Sequence, residues 1–284
     1  MQPQPEIELS FAQLPSTSIF SLLRVHRGKK LPIIKAQCDQ VIPFDTQQYN
    51  KICGFPNLEH LAFTYPQLLA APLHYQIVMH PQFPFPAIGM VHVEQRITSF
   101  KHIPQDTNLS IVTWCDNLVQ VRSGHHLSLH TEVYVTGDLY WKGESIILTK
   151  SIPGHNRAKA KKNLSAELTT YSQKKKIFVP ENQGRIYAGV SKDWNLIHVH
   201  WIFAKLFGFR RAIVHGMWTL GTAISWAEEQ GLHIQSCHAR FLRPIFLPSN
   251  AILGSIEEGP KLARIHVLRE DMKKKFLDIT LDLF

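Results

Sequence analysis

The sequence predicts an α+β protein made of two tandem units, each a long apolar helix followed by an antiparallel run of strands. Three observations carry this expectation. A chain of 284 residues exceeds what one hydrophobic core usually supports. Apolar residues make up 44% of it and charged residues 19%, the balance of a globular protein rather than a disordered or fibrous one. The same element order, a segment of helical period and then alternating segments, occurs once in each half.

In the first half, Tyr65 to His80 places Leu68, Leu69, Leu73, Ile77 and Val78 at helical spacing despite Pro72. Strand-like runs follow at Gly89 to Ile97, Leu109 to Arg122, His126 to Val135 and Tyr140 to Thr149, separated by turn residues such as Gly124, Gly137-Asp138 and Lys142-Gly143. From Ser151 to Lys176 the composition turns basic, with Arg157, Lys159, Lys161, Lys162, Lys174, Lys175 and Lys176 beside Pro153 and Gly154, which reads as a linker. The second half has a helix at Met217 to Glu229, closed by Gly231, and strands at Cys237 to Phe246, Ala251 to Glu257, Leu262 to Leu268 and Phe276 to Leu283. The expected organisation is therefore an N-terminal unit over 1–150, a basic linker over 151–176 and a C-terminal unit over 177–284.

Composition also excludes. No run of about 18 apolar residues occurs, and the start, Met1 to Leu14, lacks a basic segment followed by an apolar one, so neither a membrane span nor export is expected and the cytoplasm is the expected location. Cys38, Cys53, Cys115 and Cys237 form no CxxC pair, which argues against a zinc knuckle or a disulfide framework. A net charge of +9 favours anionic partners. The basic run near Lys174 has little aromatic interleaving, so nucleic acid is not among the expected ones.

Polar groups with reactive potential concentrate in Tyr187-Ala-Gly-Val-Ser191-Lys192-Asp193-Trp-Asn195-Leu-Ile-His198-Val-His200, followed by Phe207-Gly-Phe209 and Ile213-Val-His215-Gly216-Met217. Asp193 and His198 stand five residues apart across an Asn-containing turn, a spacing that brings a carboxylate and an imidazole to one side of a helix entry. Such a pair can hold one water and pass its protons in either direction. Gly216 precedes the apolar helix, where a backbone N–H meets the positive end of the helix dipole and a missing side chain allows close approach. Asn195 is suited to fixing the loop by side-chain to backbone bonds.

Over about 31 residues, Tyr187 to Met217, this stretch resembles the hydratase-2 motif of the MaoC-like dehydratases, approximately Y-A-x-x-S-x-D-x-N-P-I-H, a short helix ending in G-F, and H-G-M. Phe241-Leu-Arg-Pro244 and Phe246-Leu-Pro248 also resemble the strand that follows that family's central helix. The resemblance implies a double hotdog, two long helices each wrapped by antiparallel sheet. It implies reversible hydration of trans-2-enoyl thioesters, or dehydration of (3R)-3-hydroxyacyl thioesters, on coenzyme A or acyl carrier protein. It assigns catalysis to Asp193 and His198 and the oxyanion donor to Gly216, with Ser191, Asn195 and His215 supporting the loop. Tyr187, Lys192, Arg210, Arg211 and Arg243 are candidate thioester or pantetheine contacts, with Arg240 also flanking the motif. No separate cofactor and no metal are expected, although Asp193, His198, His200 and His215 are the donors a divalent ion would use. A homodimer of such chains is compatible with the resemblance.

Three departures stand out. Leu196 replaces the family's proline, and Lys192 the glycine common between Ser and Asp; the family's helix serine is matched only loosely by Thr222 or Ser225. The first half has no Asp-x-Asn-x-x-His, so it is expected to have lost the chemistry. Leu69, Leu73, Ile77, Phe83, Phe85 and Ile88 there suit either an acyl-chain tunnel or ordinary core. The competing functions are a silent acyl-thioester binding protein, which would need neither Asp193 nor His198, and a hotdog thioesterase attacking the thioester carbonyl.

Overall fold

The computed structural model describes residues 6–15, 31–87, 89–149 and 170–284, so Ile88 and residues 151–169 of the expected linker lie outside them. In chain order come β1 (Glu6–Phe11), β2 (Ile33–Val41), α1 (Thr46–Cys53), α2 (Tyr65–Val78), β3 (Val91–Ser99), β4 (Leu109–Val121), β5 (Gly124–Val135) and β6 (Asp138–Thr149). Then follow β7 (Gln173–Val179), α3 (Gln183–Ser191), α4 (Leu196–Val199), α5 (Trp201–Leu206), α6 (Gly216–Glu229), β8 (Ile234–Phe241), β9 (Ser249–Gly259), β10 (Leu262–Arg269) and β11 (Lys275–Leu283). No described helix is long and apolar enough to cross a membrane.

The chain divides into two compact units, one holding 1–44, 66–95 and 100–161, the other 45–65, 96–99 and 162–284. In the first, strands run in the order β1-β2-β4-β5-β6-β3. The β1/β2 pair is parallel, whereas β2/β4, β4/β5 and β5/β6 are antiparallel. Helix α2 is largely apolar, and burial follows: Leu69, Leu73 and Ile77 are fully enclosed, as is Phe83 just beyond the helix. The helix also carries polar groups inward. His74 Nε2 meets Thr131 Oγ1 at 2.8 Å, and Gln67, Gln95 and Ser145 bond one another in the same interior.

In the second unit the order is β8-β11-β10-β9-β7, antiparallel throughout. Helix α6 packs on β8 and β10 and buries Trp218, Leu220, Ala223, Ile224, Trp226 and Ala227. Two differences from the sequence expectation concern this unit. Lys174, Lys175 and Lys176, assigned to the linker, form part of edge strand β7, with their side chains exposed. Charge on an edge strand discourages further pairing, so a lysine run is compatible with a strand there. The segment 45–65, from the first half of the sequence, belongs to this unit, with α1 packed on α3 and α6.

Candidate active site

Local bonds shape the loop from α3 to α4. Ser191 Oγ donates to Tyr187 O at 2.9 Å and accepts from Asp193 N at 3.3 Å. Asp193 Oδ1 accepts from Asn195 N at 3.1 Å, and Asn195 Oδ1 caps α4 by accepting from Ile197 N at 3.4 Å. Each polar side chain thus satisfies a backbone N–H two residues on, which forces the chain to turn between the carboxylate and the imidazole. Lys192 closes α3 in the left-handed region at φ 57°, where a glycine would sit without strain. Its ammonium donates to Gly189 O at 2.7 Å and lies 3.5 Å from the Asp45 carboxylate.

His198 is oriented from behind. Its Nδ1 donates to Ile213 O at 2.9 Å, while Ile213 N donates to Ile197 O at 3.1 Å, so α4 is tied to the 212–214 segment. That segment is itself pinned by Val214 N to Ile245 O and Leu247 N to Ala212 O. With Nδ1 carrying the proton, Nε2 is left with its lone pair. Burial lowers the His198 pKa, against the opposing pull of Asp193, so the ring is neutral at pH 7.

His215 stacks on His198 with ring centroids 3.7 Å apart. Its Nε2 donates to the Asp193 main-chain oxygen at 2.9 Å. Burial, with His198 alongside, brings its pKa down to about 3, so its 3.7 Å approach to Asp193 Oδ2 is not an ion pair at neutral pH. Asp193, His198 and His215 each bring a donor atom to within 4.8 Å of the others. Such a set could hold a divalent ion, but two of its four imidazole nitrogens are already committed to carbonyls. His200 is not part of the set, because its Nδ1 caps α5 by accepting from Ile202 N at 3.2 Å.

Gly216 is the first residue of α6, whose leading N–H groups have no acceptor inside the helix. A Cβ there would stand 2.9 Å from the Phe241 ring, so glycine is also needed for packing. Other candidates are less closely drawn in. Tyr187, a candidate thioester contact, is 3% exposed and enclosed by the rings of Tyr49 and His215. Arg243 donates to Lys275 O, Arg240 pairs with Asp278, and the guanidinium groups of Arg210 and Arg211 lie over the Phe246 ring at 4.5 and 5.9 Å. Ser225 Oγ faces Gly54 at the end of α1.

Sequence reasoning did not find the support from 45–65. Tyr49 hydroxyl meets Thr64 Oγ1 at 2.8 Å and bonds Tyr187, and burial pushes both phenols well above their ordinary pKa. Nor did it find Gly184, where a Cβ would fall 1.9 Å from the His198 carbonyl oxygen. Beside it, Arg185 donates to Val199 O. Carbonyl partners such as Ile213 O leave no trace in side-chain type, so no signal for them existed.

Comparison with known proteins gives concordant results. Residues 162–263 match the MaoC like domain. The chain is 30% identical to 3-hydroxyacyl-thioester dehydratase X of Mycobacterium tuberculosis over 217 residues, 74% of each protein. The crystal structure of HtdX from the same organism superposes with a TM-score of 0.75 at 25% identity, over 88% of this chain and 100% of that one. A MaoC-like dehydratase from Phytophthora capsici superposes at 0.69 with 19% identity, over 89% and 95%, a likeness of fold.

Proposed function

The chain belongs to the MaoC-like dehydratase family, with its hotdog architecture and hydro-lyase chemistry, and from that premise we propose that it interconverts trans-2-enoyl and (3R)-3-hydroxyacyl thioesters using Asp193 and His198. The observation that carries this reading is the approach of the Asp193 carboxylate and the His198 ring to within 4.8 Å, with Nδ1 of His198 already occupied by Ile213 O.

In the hydration direction, a water rests between the Asp193 carboxylate and His198 Nε2. Its oxygen forms a bond to the β-carbon as Nε2 takes a proton. The π electrons of the double bond move toward the thioester oxygen, whose charge the Gly216 N–H meets at the positive end of α6. The imidazolium then returns a proton to the α-carbon, and His198 is neutral again. Dehydration is the reverse. The half-exposed Asp193 carboxylate orients the water and stabilises the transient imidazolium.

The test is loss of enoyl absorbance from crotonyl-CoA and longer trans-2-enoyl-CoA. Asp193→Asn and His198→Gln should each lower kcat by about 10² to 10⁴ while circular dichroism is unchanged. Parental rates in both variants would overturn the assignment, and release of free thiol would indicate thioester hydrolysis instead.

A further inference from the structure

From Arg185 to Arg211 the chain carries five cations, Arg185, Lys192, Lys205, Arg210 and Arg211, against one carboxylate, Asp193. The same stretch holds an unusual concentration of exposed apolar side chains. In α5 only Ala204 is buried; Leu206 is 76% exposed, Trp201 49% and Ile202 48%, with Phe203 and Trp194 close behind. Among the described residues nothing covers them, and α5 does not need them, since it is held by Ala204 and capped by His200. Large apolar groups left in water forgo the stabilisation that burial brings, so a cluster of them marks a surface that binds something.

One cation lies against this cluster, and a second follows it in the chain over the half-buried ring of Phe246. The Lys205 ammonium lies 4.7 Å from the Trp201 ring centroid, and Arg210 sits 4.5 Å from that of Phe246. An apolar centre with a cationic rim is complementary to a protein surface of apolar residues ringed by carboxylates. Coenzyme A offers phosphates to the cations but nothing that would cover Leu206, Ile202 and Trp201 together. The cluster also adjoins the chemistry: Trp194 follows Asp193 directly, and Trp201 comes three residues after His198.

We infer that α5, with Trp194, Lys205 and Arg210, is a docking face for an acidic carrier protein that presents its acyl thioester to Asp193 and His198. This rests on the hydratase reading above. The partner's apolar residues cover Leu206 and Trp201 while its carboxylates meet Lys205 and Arg210, and rising salt weakens the encounter.

The experiment compares crotonyl-acyl carrier protein with crotonyl-CoA as substrates for the full chain and for Leu206→Glu and Trp201→Glu/Lys205→Glu. The expected result is a KM for the carrier-borne substrate raised by about tenfold or more in the variants, with kcat, melting temperature and crotonyl-CoA kinetics within about twofold or a degree of the parent. Equal effects on both substrates overturn the docking face, as does a marked fall in melting temperature, which would mean the chain itself covers α5. If the parent hydrates crotonyl-CoA but not the carrier-borne thioester, docking fails and the hydratase reading stands; if it hydrates neither, that reading fails too. Binding to anionic phosphatidylglycerol vesicles that Leu206→Glu abolishes, without any carrier effect, would assign the face to a lipid surface and overturn the inference.

Discussion

Gly184 is where α3 lets the His198 backbone approach closely. A methyl group there would meet the His198 carbonyl oxygen at 1.9 Å, and a backbone atom cannot rotate away as a side chain can. Gly184→Ala should therefore displace α4 from α3, lowering stability by roughly 1 to 3 kcal/mol. A displacement of about 1 Å at His198 would cost on the order of 10²-fold in hydratase rate. Calorimetry and the enoyl-CoA assay measure the two effects; a variant with parental melting temperature and rate would show that α3 can retreat without moving His198. The turn made by Ser191, Asp193 and Asn195 is legible in the sequence because each bonds backbone two to four residues away, whereas the bond that orients His198 runs to Ile213 O, fifteen residues on. Gly184 is not legible there, since its partner lies on another helix. Tyr187, a candidate thioester contact in the sequence, is enclosed between His215 and Tyr49 of α1.

Helix α1 meets α6 at Gly221, where a Cβ would stand 3.0 Å from Cys53 Sγ and 3.2 Å from the Tyr49 hydroxyl. Trp218 Nε1 donates to Ile52 O at 3.0 Å and ties the same two helices. Gly221→Leu should force α1 outward and cost about 1 to 3 kcal/mol by overpacking. Cys53→Ala in that background should recover part of the loss, a coupling of about 0.5 kcal/mol or more in a double-mutant cycle from urea melts; strict additivity would mean the contact is not made. None of this packing was anticipated, because Thr46–Cys53 is mostly polar and too short for its period to stand out. By contrast, α2, α6 and most strands of β3 to β6 and β8 to β11 were found to within a few residues, since their burial repeats in register with their sequence. One observed strand is shorter at its end than the sequence predicts. The run expected to reach Phe246 leaves the ladder at Phe241, and Ile245 and Leu247 instead bond Val214 and Ala212 beside the site. Pro244 has no N–H with which to continue it. Strands β1, β2 and β7 are not predicted by the sequence, β7 because three lysines outweigh the Ile-Phe-Val that follows.

Across the whole molecule, buried histidines make stability depend on pH in a calculable direction. Burial brings His74 in the first unit down to about 4 and His215 in the second down to about 3, from an ordinary 6.5. Below pH 6.5 the unfolded chain takes up these two protons while the folded chain does not, so the unfolded state binds more protons and stability falls as pH falls. Each histidine contributes a loss on the order of 2 kcal/mol by pH 5. Glu228 acts in the opposite sense. Burial pushes its carboxyl up to about 7, so the folded chain binds its proton first as pH drops from neutral, returning on the order of 2 kcal/mol by pH 5. Burial also works against the Asp278 carboxylate, yet bonds from His266 and Arg240 hold it below its ordinary range, and protonating it reinforces the loss at still lower pH. Two histidines against one carboxyl leave a net fall of about 2 kcal/mol between pH 7.5 and pH 5, and the surplus of positive charge can only deepen it. Urea melts at those two pH values measure this directly. A Glu228→Gln variant, relieved of its charged form at neutral pH, should show a steeper fall than the parent because the opposing carboxyl is gone. Stability that is flat or rising toward pH 5 in both proteins would mean that neither histidine is held neutral, and with it that the stack of His198 on His215 is not the uncharged pair on which the chemistry of Asp193 and His198 relies.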